Sequence, residues 1–268
     1  MREVVLRVQR AALDEVLDRL LPIVPGGVRE VPSEGGEVEL LLRGDELPPL
    51  ERLAAVVTPA SYEIAERRVS DDWRERRQAD YREDPIRGRL VIRPTWAPAP
   101  DRRLIDISVA DSGAFGVGAH PTTRACLELL LDLAPAGAFA DLGCGTGVLA
   151  ILASRLGWAP VDALDFQPTS VEAARENAAR NGAPVDVRLT DLVGQPPPPA
   201  DGFAANVPTE VHVAIASHWR GHAPPSGLVS GFGSDAAERV MAAYASCGLQ
   251  EQRRVERVGW VIAELGRP

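Results

Sequence analysis

The stretch Phe139-Ala-Asp-Leu-Gly-Cys-Gly-Thr-Gly-Val-Leu-Ala150 constrains the fold more than any other. Its first four residues read as a short buried strand, glycines 143, 145 and 147 as a turn, and Val148 onward as the opening of a helix. Glycine adopts positive φ cheaply, and without a Cβ it lets a ligand lie against the main chain. The helix that follows turns its free N–H groups and the positive end of its dipole into the same space. A strand, turn and helix of this kind form the nucleotide-binding corner of an open α/β sheet.

Two ligand classes compete for that corner. Gly145-x-Gly147-x-x-Ala150 satisfies the dinucleotide pattern, which seats a pyrophosphate on the helix N-terminus. Asp141-x-Gly-x-Gly-x-Gly is also the turn that binds S-adenosylmethionine (AdoMet), where the acid ahead of the glycines meets the ligand's ammonium group. A carboxylate at the mouth of a pyrophosphate site would repel its ligand, so Asp141 favours AdoMet. Asp165 closes the next strand, Pro160 to Leu164, about twenty residues after the turn, where a ribose hydroxyl pair is bound. Both readings want that acid, so it supports a nucleoside without choosing.

The remainder of this half alternates strand and helix. A helix is expected over 168–181, strands over 185–189 and 203–206, and a β-α-β-β ending from Gly227 to Leu265. The alternation predicts a mostly parallel sheet covered on both faces, with an antiparallel hairpin at one edge. Ahead of it, Asp111-Ser-Gly-Ala-Phe-Gly-Val-Gly-Ala-His-Pro-Thr-Thr123 reads as a long glycine-rich functional loop feeding a helix over 123–131. Thr122 or Thr123 is expected to cap that helix, and the lone His120 reads as structural.

The first seventy residues order as β-α-β-β-α-β, a ferredoxin-like pattern whose bland reading is a packing appendage and whose functional one is a recognition domain. Residues 70–84 are charge-rich and read as a helical linker, continued by a proline-punctuated segment to Pro100. A net charge of −9 argues against affinity built on nucleic-acid phosphates and suits a basic protein partner. Cys126, Cys144 and Cys247 lack any C-x-x-C spacing, so neither a zinc site nor a disulfide framework is indicated. No apolar run approaches a membrane span and the N-terminus is no signal peptide, so a cytoplasmic protein is expected.

Taken together, Gly113-Ala-Phe-Gly-Val-Gly-Ala-His-Pro-Thr-Thr123, Asp141-Leu-Gly-Cys-Gly-Thr-Gly-Val-Leu-Ala-Ile151, Leu164-Asp-Phe-Gln-Pro168, Glu176-Asn-Ala-Ala-Arg-Asn-Gly182 and Ala205-Asn206 resemble the ribosomal protein L11 methyltransferases (PrmA). The likeness covers nearly the whole chain. It implies a seven-stranded Rossmann-like methyltransferase sheet over 101–268, a ferredoxin-like substrate-recognition domain over 1–69, and a linker over 70–100. It implies AdoMet as cofactor, with Thr123, Asp141, Gly143, Gly145, Gly147, Asp165 and Asn206 around it. It further implies methyl transfer to lysine ε-amino and N-terminal α-amino groups of basic ribosomal protein L11, with Asn206 orienting the amine. Val117, Gln167, Val207-Pro-Thr209 and Gly259 depart from the family's usual residues. Open alternatives are another protein lysine, a nucleic-acid amino group, or a non-catalytic AdoMet-binding module in ribosome assembly.

Overall fold

The computed structural model describes residues 2–20, 23–24, 28–32, 37–44, 47–57, 62–68, 81–110, 120–219 and 221–268. The expected turns at 25–27 and 33–36, most of the charged linker, and the glycine-rich loop over 111–119 with Val117 lie outside the described residues. Two compact units divide the chain, Met1–Arg82 and, for the larger part, Glu83–Asp111 with Gly116–Pro268.

In the first unit β1 (Arg2–Gln9) runs through a single 3-10 turn into helix α1 (Leu13–Leu20), followed by β2 (Val28–Pro32), β3 (Glu37–Gly44), α2 (Leu50–Val57) and β4 (Tyr62–Arg68). The strands form an antiparallel sheet in the order β2-β3-β1-β4. Val4, Leu6 and Val8 alternate on the buried face of β1, as a period-two strand requires. They pack in one layer with Val38, Leu40 and Leu42 of β3. Leu13, Val16 and Leu20 of α1 and Leu53 and Val57 of α2 supply apolar stripes at helical spacing that are buried as well. The element order is the β-α-β-β-α-β read from the sequence. Residues 81–84, the described end of the expected helical linker, carry no regular structure.

The second unit opens with a small parallel pair, β5 (Leu90–Pro94) and β6 (Ile105–Val109). Then come α3 (Pro121–Leu130), β7 (Phe139–Leu142), α4 (Val148–Leu156), β8 (Val161–Asp165), α5 (Pro168–Arg180), β9 (Val185–Leu189), β10 (Gly202–Asn206), α6 (Thr209–His218), β11 (Ser226–Gly233), α7 (Ala237–Ala245), β12 (Gln250–Arg257) and β13 (Trp260–Gly266). The sheet order is β12-β13-β11-β10-β7-β8-β9. All neighbours are parallel except β13, which runs antiparallel to β11 and β12 and gives the expected edge hairpin. Helices α3, α4 and α5 bury one face of the sheet, and α6 and α7 the other. All four residues of β7 are buried, as the central strand of a covered parallel sheet must be.

Strand order dictates where a ligand fits. From β7 the chain moves outward to β8 and β9, then returns to place β10 on the other side of β7. Helices on the two sides diverge at this switch point and leave a crevice beyond the carboxyl ends of β7 and β10. Leu142 pairs with Leu164 on one side and Ala205 on the other. One residue further along, Gly143, Asp165 and Asn206 therefore share a row across three strands. The glycine turn, the first acid-ended strand and the asparagine-ended strand converge on that crevice.

Candidate functional site

Gly143, Gly145 and Gly147 have φ of 79°, 52° and 79°. This left-handed region is costly for residues with a Cβ, and Gly147 in that conformation is the N-cap of α4. A Cβ on Gly143 would overlap the Val207 side chain, so the segment after Asn206 closes directly onto the turn.

The amide groups of the turn decide what it can hold. Gly143 N and Cys144 N both donate to Leu164 O, at 2.8 and 2.9 Å. Gly145 N donates to Asp165 Oδ2 at 2.9 Å, and Gly147 N to Cys144 O at 2.8 Å. Ala150 N, in the first turn of α4, donates to Asp141 Oδ2 at 3.0 Å. A pyrophosphate cradle needs such groups free and aimed outward. Here five of them are spent inside the protein, two on carboxylates. These five bonds make the turn better suited to a cation than to a pyrophosphate.

The two acids set the electrostatics. Asp141 is fully buried, its Oδ1 has no hydrogen-bond partner, and burial pushes its carboxyl up to about 7. Asp165 is pushed up by burial as well, partly offset by the amides of Gln167 and Gly145, which bind its two oxygens. An unpartnered buried carboxylate oxygen next to a second acid wants a cationic donor. The donor set therefore fits a ligand carrying positive charge, such as an ammonium and a sulfonium. The thiols are not nucleophiles: burial raises Cys126 to about 12, and Cys144 is raised by burial and by Asp141.

Beside Asp165 the surface is apolar and uncovered. Phe166 is 65% exposed, and Leu189, paired with Asp165 across β8 and β9, is 57% exposed. Large exposed apolar side chains beside a crevice mark a candidate binding rim. Asp191 turns away from that task and accepts from Val193 N at 3.0 Å.

On the other side of the crevice Asn206 meets the start of α3. Its Nδ2 donates to Thr122 Oγ1 at 3.1 Å and lies 3.5 Å from Thr123 Oγ1. Its Oδ1 makes no hydrogen bond among the described residues. The cap of α3 differs from expectation: His120, not either threonine, is the N-cap, and its Nδ1 accepts from Thr122 N. The threonine hydroxyls face the crevice side instead, since one of them is bound to His120 and both face Asn206.

The sequence reading thus brings Asp141, Gly143, Gly145, Gly147, Asp165, Asn206 and Thr123 into one place, and misses Thr122 and His120. It also misses two asparagines, Asn177 on α5 and Asn181 at its C-cap, that hold the scaffold. Asn177 is buried, donates to Thr146 O in the glycine turn at 3.0 Å, and accepts from Ala110 N at 2.9 Å. Asn181 accepts from Ser108 N at 2.9 Å and donates to Ser108 O at 2.8 Å, imitating a strand partner for β6. Their spacing of four places both amides on one helical face, the only legible hint.

A family model described as "Ribosomal protein L11 methyltransferase (PrmA)" matches residues 49–267. The chain is 36% identical over 216 residues to the ribosomal protein L11 methyltransferase of Symbiobacterium thermophilum, covering 79% of this chain and 70% of that protein. It is 38% identical over 200 residues to that of Thiobacillus denitrificans, covering 71% of this chain and 64% of the relative. Among solved structures it is similar to a ribosomal protein L11 methylase from Lactobacillus delbrueckii subsp. bulgaricus. There the TM-score is 0.62 at 26% identity, over 70% of this chain and 99% of the other.

Proposed function

Because the chain belongs to the ribosomal protein L11 methyltransferase (PrmA) family, we propose that it methylates lysine ε-amino and N-terminal α-amino groups of ribosomal protein L11. The methyl donor is S-adenosylmethionine. One observation carries the cofactor assignment: five backbone amides of the glycine turn and the start of α4 are consumed internally, two of them on carboxylates, which suits a cation better than a phosphate.

The residues take the following roles. Asp141, buried beneath the turn with Oδ1 unpartnered, would draw the ligand's ammonium by its charge. Asp165, held rigid by two backbone amides, turns its remaining lone pairs to the ribose hydroxyls, and Phe166 with Leu189 borders the adenine. Gly143, Gly145 and Gly147 shape the turn beneath the ligand, Gly143 and Gly147 leaving room for Val207 and Ala174, and Thr123 closes the site from α3. AdoMet, when bound, supplies a methyl group on a sulfonium, open to in-line attack by a neutral amine. The chain must therefore align that amine and keep it unprotonated. Lysine's reference value near 10.4 means that leaving water in the crevice must favour the neutral form. Asn206 Oδ1, without a partner among the described residues, would accept one N–H of the amine and so orient it for attack.

The antiparallel β2-β3-β1-β4 unit is the ferredoxin-like domain, residues 1–69, and serves as the recognition module for the basic substrate. Residues 70–100 are the linker and 101–268 the catalytic domain, and the protein works in the cytoplasm. The overall charge of −9 favours encounter with a basic partner. A nucleic-acid substrate is disfavoured, because Val207-Pro208-Thr209 offers no ring on which to stack a flipped base. Calorimetric titration with S-adenosylhomocysteine and with NAD tests the cofactor. Binding of the first alone is expected, and binding of NAD alone would sink the proposal.

A further inference from the structure

We propose that His120 is a positioning residue for methyl transfer: through the Thr122 hydroxyl it keeps the Asn206 amide oxygen turned toward the incoming amine. This rests on the role given to Asn206 above. The two ends of an asparagine amide are nearly equal in size, so only the polarity of its partners decides which end faces where.

That polarity is fixed by counting protons. His120 Nδ1 lies 3.3 Å from Thr122 N and 2.7 Å from Thr122 Oγ1. The backbone N–H can only donate, so Nδ1 is an acceptor and the proton of the neutral ring is on Nε2. The proton in the 2.7 Å contact is therefore the hydroxyl's own. Having spent its single hydrogen on His120, Thr122 Oγ1 can only accept from Asn206, and the nitrogen end of the amide must face it, at 3.1 Å. Thr123 Oγ1, at 3.5 Å from the same nitrogen, adds a second oxygen on that side. The planar amide then puts Oδ1 on the opposite side, where it has no partner.

Without the His120 acceptor the Thr122 hydroxyl is free to rotate its hydrogen toward Asn206. The amide then satisfies it equally well when flipped, and the flipped form presents an NH2 to the amine. Two donors face to face repel. The imidazole is itself held in place, with Trp260 edge-on at a ring distance of 5.7 Å. Capping α3 requires only an acceptor for Thr122 N–H; turning Asn206 requires the hydroxyl as well. The two roles separate by mutation.

The experiment compares His120→Ala, His120→Asn, Thr122→Val and the His120→Ala/Thr122→Val double variant, as full-length proteins. Methyl transfer to L11 and AdoMet affinity are measured for each. The Oδ1 of an asparagine at 120 sits where Nδ1 sits and has lone pairs for both donors. His120→Ala and Thr122→Val should each lower kcat about tenfold, with AdoMet affinity changed less than about threefold. His120→Asn should recover kcat to within about threefold of the parent, and the double variant should be no worse than about the worse single one. Thr122→Val leaves the cap intact, so it answers even where His120→Ala folds poorly. Full turnover in Thr122→Val, or additive losses in the double variant, would overturn the proposal. The side-chain amide resonances of Asn206 in the AdoMet-free protein give a second readout. They should shift in Thr122→Val and His120→Ala and stay in place in His120→Asn. If the parent transfers no methyl to L11, the proposed function falls; resonances unmoved by Thr122→Val would then overturn the positioning role separately.

Discussion

Asp141→Asn should change the pH dependence of stability in a way set by two buried groups of opposite sign. Burial raises the Asp141 carboxyl from 3.8 to about 7 in the folded protein. A raised folded value means that the folded state holds the proton longer than the unfolded chain does. The stability this confers is complete below 3.8 and is lost as pH rises through about 7, about 4 kcal/mol in all. His212 runs the other way. It is buried with Nε2 donating to Ser230 O at 2.8 Å and Nδ1 accepting from the Tyr244 hydroxyl at 2.9 Å, and burial lowers it from 6.5 to about 4. The unfolded chain takes up that proton first as pH falls, so stability rises with pH between about 4 and 6.5. Between pH 5 and 8 the parent loses about 3 kcal/mol through Asp141 and gains about 2 kcal/mol through His212, while the raised Asp165 carboxyl adds to the loss in parent and variant alike. Asparagine keeps an oxygen for Ala150 N and removes the ionisation. The variant is therefore spared the Asp141 loss and should gain about 3 kcal/mol relative to the parent over the same interval. Urea unfolding followed by tryptophan fluorescence at pH 5 and pH 8, without cofactor, reads this directly. The same pH dependence in both proteins would refute the assignment of the raised carboxyl. If the Asp141 charge also draws the cofactor's ammonium, the more stable variant will bind AdoMet less well, the usual trade of stability against function.

Asp165→Ala should weaken AdoMet binding at least about tenfold by calorimetry, through loss of hydroxyl acceptors and release of Gly145 N. Asn181→Ala strands both Ser108 N and Ser108 O, and should lower unfolding free energy by about 2–4 kcal/mol in urea titrations. Val258 holds φ 52° at the β12–β13 turn, costly for a β-branched side chain. Val258→Asn should raise stability by about 1 kcal/mol, read as an upward shift in Tm.

Much of the catalytic unit was legible because it is written locally. Alternating apolar and helical periods give β7 through β13, and three glycines two apart have few uses other than a turn at positive φ. The acid-ended and asparagine-ended strands could be named one by one. Their common row could not, since it depends on the registers of β7 with β8 and β10. The cap of α3 was misassigned for a physical reason. Threonine is a favoured cap in general, but here Pro121 takes the first helical position and leaves the cap to His120. Asn177 and Asn181 escaped notice because their partners, Ala110 and Ser108, lie 67 and 73 residues away in sequence. Asp141 already favours AdoMet over a dinucleotide in the sequence, and the amides of the turn that are bonded within the protein add to that reading.

Methyl transfer itself is the most direct test of the central claim. Purified protein, AdoMet and unmodified L11 are incubated together, and the intact and peptide masses of L11 are read by mass spectrometry. The chain contains no lysine, so every methylated lysine in the mixture belongs to the substrate. Methyl increments on L11 amines, abolished by S-adenosylhomocysteine, are the predicted result. L11 that keeps its mass while the protein demonstrably binds AdoMet would contradict the claim.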